Sequence, residues 1–258
     1  KDVSHVVTDW SPMRKKLEEI TQELSSRPYP GTEEQLSESI DFLKWLVDHN
    51  FTLMGYRSYK NNAISGDHIL VPETGTSLGL MKTRKGRKER KLSDLPASAR
   101  DVALSDTLLV LTKTQSQSRV HRPAYIDYIG IKRFDKKGNV VGEDRFVGLF
   151  AANFYNASLK DIPLLKRKTR LIMEGAKFEK GTHAYKGMMN ILETYPRDEL
   201  LQASVDEMRQ IALGVLRMQE RGISRLFVRR DAFGRFFSCM VYTPRERYNT
   251  QLRHDTQR

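Results

Sequence analysis

Hydrophobic and polar positions alternate most regularly between residues 124 and 150. Ala124–Phe134 and Val140–Phe150 are rich in β-branched and aromatic residues, and the polar run Asp135–Asn139 separates them. This pattern predicts two antiparallel strands joined by a turn. Because side chains alternate between the faces of a strand, Asp127 shares a face with apolar residues. Its carboxylate is therefore expected either at the rim of the sheet or in an ion pair.

A spacing of three to four residues between apolar positions predicts two helices at the start of the chain. The first covers Asp9–Ser25, and the run Arg27–Gly31 with its two prolines ends it. Thr32 and Gln35 have the spacing of a capping box, which begins a second helix that ends near Asn50. The side chains expected to be buried are Met13, Leu17, Ile20 and Leu24 on the first helix, and Leu36, Ile40, Leu43 and Val47 on the second.

Short β-rich runs surround the long hairpin. The predicted elements are strands at Phe51–Tyr59, His68–Val71, Leu78–Met81 and Thr107–Lys113, with a small helix at Leu95–Val102. The fold class is α+β, an antiparallel sheet module flanked by helices. The order of elements resembles PAS or GAF sensor modules, and an ACT-like arrangement with two helices on one face of the sheet is the alternative.

After residue 158 the pattern becomes helical. Asp161 is a candidate N-cap with Pro163 in the first turn, His183–Tyr195 forms a second helix, and Ser204 with Glu207 caps a third that Gly222 ends. A hairpin at Arg225–Arg230 and Arg235–Tyr242 follows. We therefore predict a helical linker at 1–31, an α+β sensor-like module at 32–157, a helical connector at 158–222 and the truncated start of an ACT-like module at 223–258.

Composition is that of an ordinary globular protein, with 258 residues of which 39% are hydrophobic. No apolar run approaches the ~20 residues that span a bilayer, and no secretion signal opens the chain, so we expect a cytoplasmic location without membrane contact. Cys239 is the single cysteine and lies in an apolar run, which predicts a small core residue. Both ends of the chain look cut from something longer.

A basic segment accounts for much of the net charge of +12. Lys82–Lys91 contains seven basic residues and one acidic residue. The cations that could bind an anionic partner are Arg84, Lys85, Arg87 and Lys88. A nucleic-acid-binding module is the alternative function, but an exposed solvated loop is favoured, because neither interleaved aromatic residues nor a recognition helix accompanies the charges.

Two further groups of cations are candidates for binding an effector or forming an interface. Arg119, His121 and Arg122 lie in the polar loop Thr114–Pro123, where an anionic effector could dock, or where the arginines could pair with acids such as Asp127 or Glu143. Lys132, Arg133 and Arg145 are expected to approach one another across the hairpin as a positive patch, with Asp135, Glu143 and Asp144 as their counter-charges.

No motif for catalysis is present. The sequence lacks G-x-G-x-x-G, G-x-S-x-G, and the histidine spacings H-x-H, H-x-x-x-H and H-x-x-E. We therefore nominate no catalytic, cofactor-binding or metal-binding residue in this chain.

Several segments together resemble a known family. They are FTLMGYRSY at 51–59, SRVHRPAYIDYIGIKRFD at 118–135, GEDRFVGLF at 142–150, DIPLLKRK at 161–168, ILETYPRDELLQ at 191–202 and RLFVRRDAFGRFFSCMVYTPRERYNT at 225–250. Their sequence is similar to the amino-terminal regulatory region of the large bacterial NAD-specific glutamate dehydrogenases. The resemblance implies ACT-like and PAS-like regulatory modules, with the catalytic domain further toward the C-terminus.

The resemblance also implies a function and partners. The parent enzyme would be an oxidoreductase that interconverts L-glutamate and 2-oxoglutarate with NAD, while this segment would be non-catalytic and contain no cofactor. Its expected partners are the missing C-terminal catalytic domain, other subunits of a homo-oligomer, and an amino acid or small anion as effector.

Overall fold

The chain divides into two compact units, seen in a computed structural model that describes residues 2–64, 67–83, 91–219 and 222–257. The sheet unit consists of Lys1–Ala157, Ile162–Leu164 and Ala232–Gly234. The helical unit consists of Ser158–Asp161, Leu165–Asp231 and Arg235–Arg258. Helices accompany antiparallel strands in both units, which confirms the predicted α+β class.

The sheet unit begins with α1 (Asp2–Glu23) and α2 (Glu33–Trp45). The predicted capping box of α2 is confirmed, because Thr32 Oγ1 accepts from the Gln35 amide at 3.2 Å while Gln35 Oε1 accepts from the Thr32 amide at 2.9 Å. The buried side of α2 is rotated from the prediction. Leu43 is buried as predicted and Phe42 is buried as well, whereas Leu36 and Ile40 are half-buried, as is Val47 beyond the end of α2.

The described strands of this unit form one antiparallel sheet. They are β1 (Phe51–Ile64), β2 (Asp67–Pro72), β3 (Leu78–Gly79), β4 (Leu109–Gln117), β5 (Tyr125–Phe134) and β6 (Val140–Phe150). The order is β2-β1-β6-β5-β4, with β3 paired to β1. The small helix α3 (Ala97–Leu104) precedes β4, and α4 (Ala152–Asn156) follows β6. The predicted β5–β6 hairpin is confirmed.

Helix α1 packs through its apolar stripe. Met13, Leu17 and Ile20 are at most 1% exposed, and each such burial stabilises the fold by about 1.5–3 kcal/mol. Asp9 adds a polar attachment, because its Oδ2 accepts from the Gly79 amide of β3 at 2.8 Å. The buried apolar stripe and the hydrogen bond from Gly79 to Asp9 together fix α1 within the sheet unit.

Asp127 is paired. Its Oδ1 accepts from Lys113 Nζ on β4 at 2.6 Å, and its Oδ2 accepts from the Phe150 amide on β6 at 3.2 Å. With a residue exposure of 3%, this carboxylate is buried in the sheet. Of the two alternatives raised by the sequence, the ion pair is therefore correct and the rim position is not.

The helical unit contains four helices, a hairpin and a terminal helix within the described residues. They are α5 (Leu165–Ala176), α6 (His183–Thr194), α7 (Arg197–Gln202), α8 (Val205–Gln219), β7 (Arg225–Arg230), β8 (Phe237–Tyr242) and α9 (Thr250–Gln257). None of the helices in the described ranges is both long enough and apolar enough to cross a membrane.

Two predicted helix boundaries in this unit are confirmed and one is wrong. Ser204 and Glu207 exchange the two hydrogen bonds of a capping box, at 3.1 and 2.8 Å. Gly222, with φ of 60°, donates its amide to the Met218 carbonyl. Asp161 does not cap α5, because the chain leaves helical geometry at Leu164, whose φ is 68°, and the helix begins only at Leu165.

The hairpin β7–β8 packs one face on α8 and leaves the other open. A Cβ atom at Gly214 of α8 would lie 2.7 Å from Phe227 Cε1, so the missing side chain permits this close approach. Cys239 lies on the opposite face and is exposed, with Phe237 and Val241 beside it at 65% and 44% exposure. The expectation that Cys239 is a core residue is therefore wrong, since an apolar run does not reveal which face of a strand is covered.

Candidate functional site

A cavity of about 570 Å³ in the sheet unit is lined by residues of α1, β1, β5 and β6. The charged residues that line it are Lys16, Arg27, Lys60, Glu73, Arg133 and Asp144. Four cations and two carboxylates thus face a common space. We refer to it as the α1 cavity.

Strand β1 supplies a row of polar side chains to the α1 cavity. Tyr56, Ser58 and Lys60 are two residues apart, so they project from the same face of the strand. Ser58 lies directly opposite Asp144 of β6, and Tyr56 Oη donates to Asp144 Oδ1 at 2.8 Å. Burial and the Asp144 carboxylate raise the pKa of Tyr56, so the phenol remains a hydrogen-bond donor at neutral pH.

Arg133 and Glu73 are bonded to each other at the wall of the cavity. Arg133 Nη2 donates to Glu73 Oε2 at 3.0 Å and to the Tyr59 carbonyl at 2.6 Å. It passes over Gly142, where a Cβ atom would lie 2.5 Å from Nη2. The hydrogen bond from Ser58 and the Arg133 guanidinium lower the pKa of Glu73. This part of the site is a satisfied ionic network.

Arg27 and Asp144 are less completely bonded. Arg27 Nη1 lies 3.6 Å from Asp144 Oδ2, and Arg133 Nε lies 4.0 Å from the same oxygen. These distances allow electrostatic attraction but exceed those of a hydrogen bond. Asp144 is 3% exposed, and within the described part of the chain neither its Oδ2 nor Arg27 Nη1 has a hydrogen-bond partner.

The cations of the loop predicted at 114–123 are separated in the structure. Strand β4 continues to Gln117, which shortens the loop. Arg119 is exposed and lines a different cavity of about 700 Å³, and His121 is exposed. Arg122 is bound within the sheet unit, where Nη2 donates to the Phe150 carbonyl at 2.8 Å and the guanidinium lies 5.3 Å from the Tyr155 ring centroid.

The predicted positive patch of Lys132, Arg133 and Arg145 does not form. Arg145 pairs with Gly130, two residues from Lys132, so these two cations share one face, while Arg133 projects from the other into the α1 cavity. Alternation along β5 already places Lys132 and Arg133 on opposite faces of the strand. Which of the two shares a face with Arg145 follows only from the register of β5 with β6.

Lys132 instead caps a helix. Its Nζ donates to the Val102 and Ser105 carbonyls at the C-terminal end of α3. Burial lowers the pKa of Lys132 to about 8, partly opposed by the Glu143 carboxylate.

Arg145 occupies an aromatic sandwich. Its guanidinium carbon lies 3.9 Å from the Tyr59 ring centroid and 4.9 Å from that of Tyr128. Glu143 accepts from Arg145 Nε at 3.4 Å and from the Tyr128 hydroxyl. Glu143 is thus the counter-charge of Arg145, as expected, whereas Asp135 binds the amides of its own turn at Lys137 and Asn139.

The four cations predicted to bind an anionic partner belong to the basic segment Lys82–Lys91. Arg84, Lys85, Arg87 and Lys88 lie outside the described residues. Over the ranges that are described, no three histidine, cysteine or acidic side chains are grouped as metal ligands.

Comparison with known proteins shows what the chain is similar to. Residues 162–221 match the family model "Glutamate dehydrogenase, helical motif 1", and residues 225–258 match "Glutamate dehydrogenase, ACT2 domain". The NAD-specific glutamate dehydrogenases of Halomonas elongata, Pseudomonas aeruginosa and Mycobacterium tuberculosis are 38%, 37% and 30% identical to it over 255, 254 and 253 residues. Each alignment covers 98% of this chain.

The chain resembles a segment of NAD-specific glutamate dehydrogenases. It spans only 14 to 16% of the length of these relatives, and the two module matches support its placement in their N-terminal region. The resemblance inferred from the sequence is confirmed.

Three of the segments that carry the glutamate dehydrogenase resemblance meet in the helical unit. Lys168 ends the first, Glu199 lies in the second and Arg229 in the third. Lys168 Nζ donates to the Leu200 carbonyl at 2.7 Å and to the Ala203 carbonyl at 2.7 Å, at the C-terminal end of α7. Arg229 Nε donates to Glu199 Oε2 on the same helix at 2.8 Å.

The electrostatics of this cluster are those of an enclosed polar core. Burial and the nearby Arg229 lower the pKa of Lys168 to about 7, opposed by Glu207. Lys168 and Arg229 both bind α7, so the cluster joins α5, α7 and β7. These contacts attach α5 and β7 to α7, which is a structural role. The candidate for ligand binding is therefore the α1 cavity.

The sequence indicated Arg133 and, as a counter-charge for it, Asp144, but it gave no indication that Arg27, Tyr56, Ser58 and Glu73 join them in the α1 cavity. The polar alternation Tyr56, Ser58, Lys60 was a usable signal for a polar face of β1. The meeting of that face with Asp144 required the order β1-β6-β5, which one sequence does not reveal. Arg27 lies outside regular structure between α1 and α2, so no period marks it.

Proposed function

We propose that this chain is a non-catalytic regulatory and assembly segment of an NAD-dependent glutamate dehydrogenase. The complete enzyme would convert L-glutamate, NAD and water to 2-oxoglutarate, ammonium and NADH, with its nicotinamide and glutamate sites in a C-terminal catalytic part. The observation that supports this most is the combination of 98% coverage of the chain with 14 to 16% coverage of the named enzymes. The absence of G-x-G-x-x-G from the sequence agrees with it.

The sheet unit is the sensing module in this proposal. In its element order the helices α1 and α2 precede the described strands, which a short 3-10 helix at Leu92–Asp94 and α3 interrupt between β3 and β4. This order supports a PAS- or GAF-like arrangement over an ACT-like one. Residues 223–258 would begin an ACT-like module, as the match to an ACT2 domain over 225–258 supports. The helices between, over residues 158–222, would pass the response to other modules and to other subunits of a cytoplasmic homo-oligomer.

The proposal is tested by one activity measurement and one binding measurement. The purified chain should produce no NADH from L-glutamate and NAD. A complete enzyme from which residues 1–157 are removed should still bind NAD and L-glutamate, measured by calorimetry, while its assembly state or its response to metabolites changes. NADH formation by the isolated chain, or loss of NAD binding on removal of those residues, contradicts the proposal.

A further inference from the structure

The sheet unit contains a second cavity, of about 700 Å³. It is lined by the end of β4, the start of β5 and the loop between them, together with Asp2, Leu80 and Thr83. We refer to it as the β4 cavity. Its volume lies within the range of about 300–1,000 Å³ that is usual for small-molecule sites, and two of its lining residues, Leu80 and Ile126, are buried apolar side chains.

Several polar side chains of the β4 cavity are open to a ligand. Gln115, Gln117, Arg119 and Tyr125 all line it and are all exposed, Tyr125 at 51%. Among the described residues, none of these four side chains has a hydrogen-bond or ion-pair partner. They therefore differ from the charged groups of the α1 cavity, which are largely bonded to one another.

The pairing of β4 with β5 places an aromatic ring beside an amide. Gln117 and Tyr125 are directly opposite each other in the register of the two strands. Side chains of such a pair project from the same face of the sheet and lie next to each other. The exposed Tyr125 ring thus has the Gln117 amide at its side.

The turn that presents Arg119 is held by hydrogen bonds. Ser118 Oγ accepts from the amides of Val120 and His121, both at 3.3 Å, and the Ser118 amide donates to the Ala124 carbonyl at 2.8 Å. These bonds fix the backbone on both sides of Arg119, while its guanidinium stays exposed. Pre-organisation of this kind reduces the entropic cost of binding.

We propose that the β4 cavity binds a nucleoside monophosphate, with its base stacked on Tyr125, its phosphate on Arg119 and its ribose hydroxyls on Asp2. Bases stack on exposed aromatic side chains, and the amides of Gln115 and Gln117 can both donate to and accept from a base edge. A guanidinium binds phosphate through two parallel hydrogen bonds. This inference deepens the proposed function and rests on it, because an effector site gives a non-catalytic segment its regulatory use.

The Asp2 carboxylate favours a nucleotide over a simple anion. It accepts from Thr83 Oγ1 at 3.2 Å and lines the β4 cavity, so an anion without donor groups is repelled there. Ribose hydroxyls are donors, and acidic side chains bind ribose in this way in dinucleotide sites. A ligand without a ring would also leave the Tyr125 face in contact with water.

The test is isothermal titration of the chain with AMP, GMP, CMP and UMP, and then, for each nucleotide that binds, with its nucleoside and with ribose 5-phosphate. We expect at least one nucleotide to bind. Its nucleoside and ribose 5-phosphate should each bind about tenfold more weakly or worse, since the first lacks the phosphate on Arg119 and the second lacks the stacked base.

Variants locate the site. Arg119→Gln and Tyr125→Leu should each weaken binding of that nucleotide about tenfold or more. Matched controls are Arg100→Gln, at an exposed arginine of α3, and Tyr248→Leu, at a tyrosine of the helical unit that is 59% exposed. Neither control residue lines the β4 cavity, so both should leave the affinity unchanged. Far-UV circular dichroism establishes that each variant is folded.

Three outcomes overturn the inference: no nucleoside monophosphate binds, ribose 5-phosphate binds as tightly as the nucleotide, or Arg119→Gln and Tyr125→Leu bind as tightly as the parent. The first two need no variant, so a folding defect does not obscure them. Titration of the chain does not measure turnover. A failure here therefore leaves the non-catalytic assignment standing, whereas NADH formation by the chain contradicts that assignment whatever binds.

Discussion

Arg229 Nε donates to Glu199 Oε2 at 2.8 Å, and this ion pair holds β7 against α7 with both side chains largely buried, at 7% and 12% exposure. Removing one partner of a buried pair leaves the other charge uncompensated, which costs about 3–5 kcal/mol. We therefore expect Arg229→Gln to lower the free energy of unfolding of the helical unit by about that amount, as measured by urea denaturation. Arg230→Gln, one residue along the strand at an exposed position, is the matched control and should change it by less than about 1 kcal/mol.

The pair is also expected to show coupling. Glu199→Gln alone should destabilise the chain, and the double variant with Arg229→Gln should be more stable than the sum of the two single losses predicts, because it leaves no unpaired charge. A double-variant cycle in urea measures the coupling energy. Strictly additive losses would show that the two side chains act independently, contrary to the geometry.

Because the pKa of Lys168 is lowered in the folded chain, we expect the stability of the chain to depend on pH. Burial and Arg229 lower its pKa in the folded chain to about 7 from an ordinary value of 10.5. Between these values the unfolded chain binds more protons than the folded one, so the free energy of unfolding rises with pH, by about 1 kcal/mol per pH unit for this one group. The penalty of burying the charged amine is complete below pH 7 and disappears as the pH approaches 10.5.

The measurement compares the parent with Lys168→Met from pH 7 to pH 10. Relative to the variant, the parent should gain stability as pH rises. Lys166→Met changes an exposed lysine of the same helix and should leave the slope of the parent unchanged. Parallel pH profiles for the parent and Lys168→Met would contradict the lowered pKa.

Local signals predicted much of this fold. Four features depend only on residues that are neighbours in the sequence, so a single sequence is enough to predict them. They are the capping boxes at Thr32 and Ser204, the turn between β5 and β6, and the end of a helix at Gly222. Asp161 failed as an N-cap because the backbone at Leu164 takes a positive φ that favours glycine or asparagine, and nothing in the local sequence indicates it.

Long-range relationships were less accessible. The candidate site depends on Tyr56 meeting Asp144 and on Arg27 reaching the same carboxylate, contacts that join positions 88 residues apart in the first case. Strand register and order determine such contacts, and alternation within one strand gives only the face. For the same reason the sequence placed Cys239 in an apolar run without revealing that its side of the hairpin is uncovered.

The exposure of Cys239 is directly measurable. As the single cysteine of the chain, it gives an unambiguous signal with a thiol reagent such as 5,5′-dithiobis(2-nitrobenzoate). We expect complete reaction in the folded chain, with a rate within about tenfold of that in urea, because no packing has to open first. Cys239→Ser provides the blank. Reaction that requires denaturant would place the thiol in a covered position and contradict the observed orientation of β8.

We expect the substitution Gly214→Ala to destabilise the chain, although replacing a helical glycine by alanine usually stabilises a protein. Replacing a helical glycine by alanine normally stabilises a protein by up to about 1 kcal/mol. Here the new Cβ would lie 2.7 Å from Phe227 Cε1, and overpacking of this kind costs about 1–3 kcal/mol. Gly214→Ala should therefore lower the free energy of unfolding, and Phe227→Leu should recover part of the loss when the two are combined, because the shorter side chain removes the aromatic carbon that collides. Urea denaturation of both single variants and the double variant measures this relationship. A Gly214→Ala chain more stable than its parent would show that α8 and β7 can separate without cost, which the close packing of this hairpin does not allow.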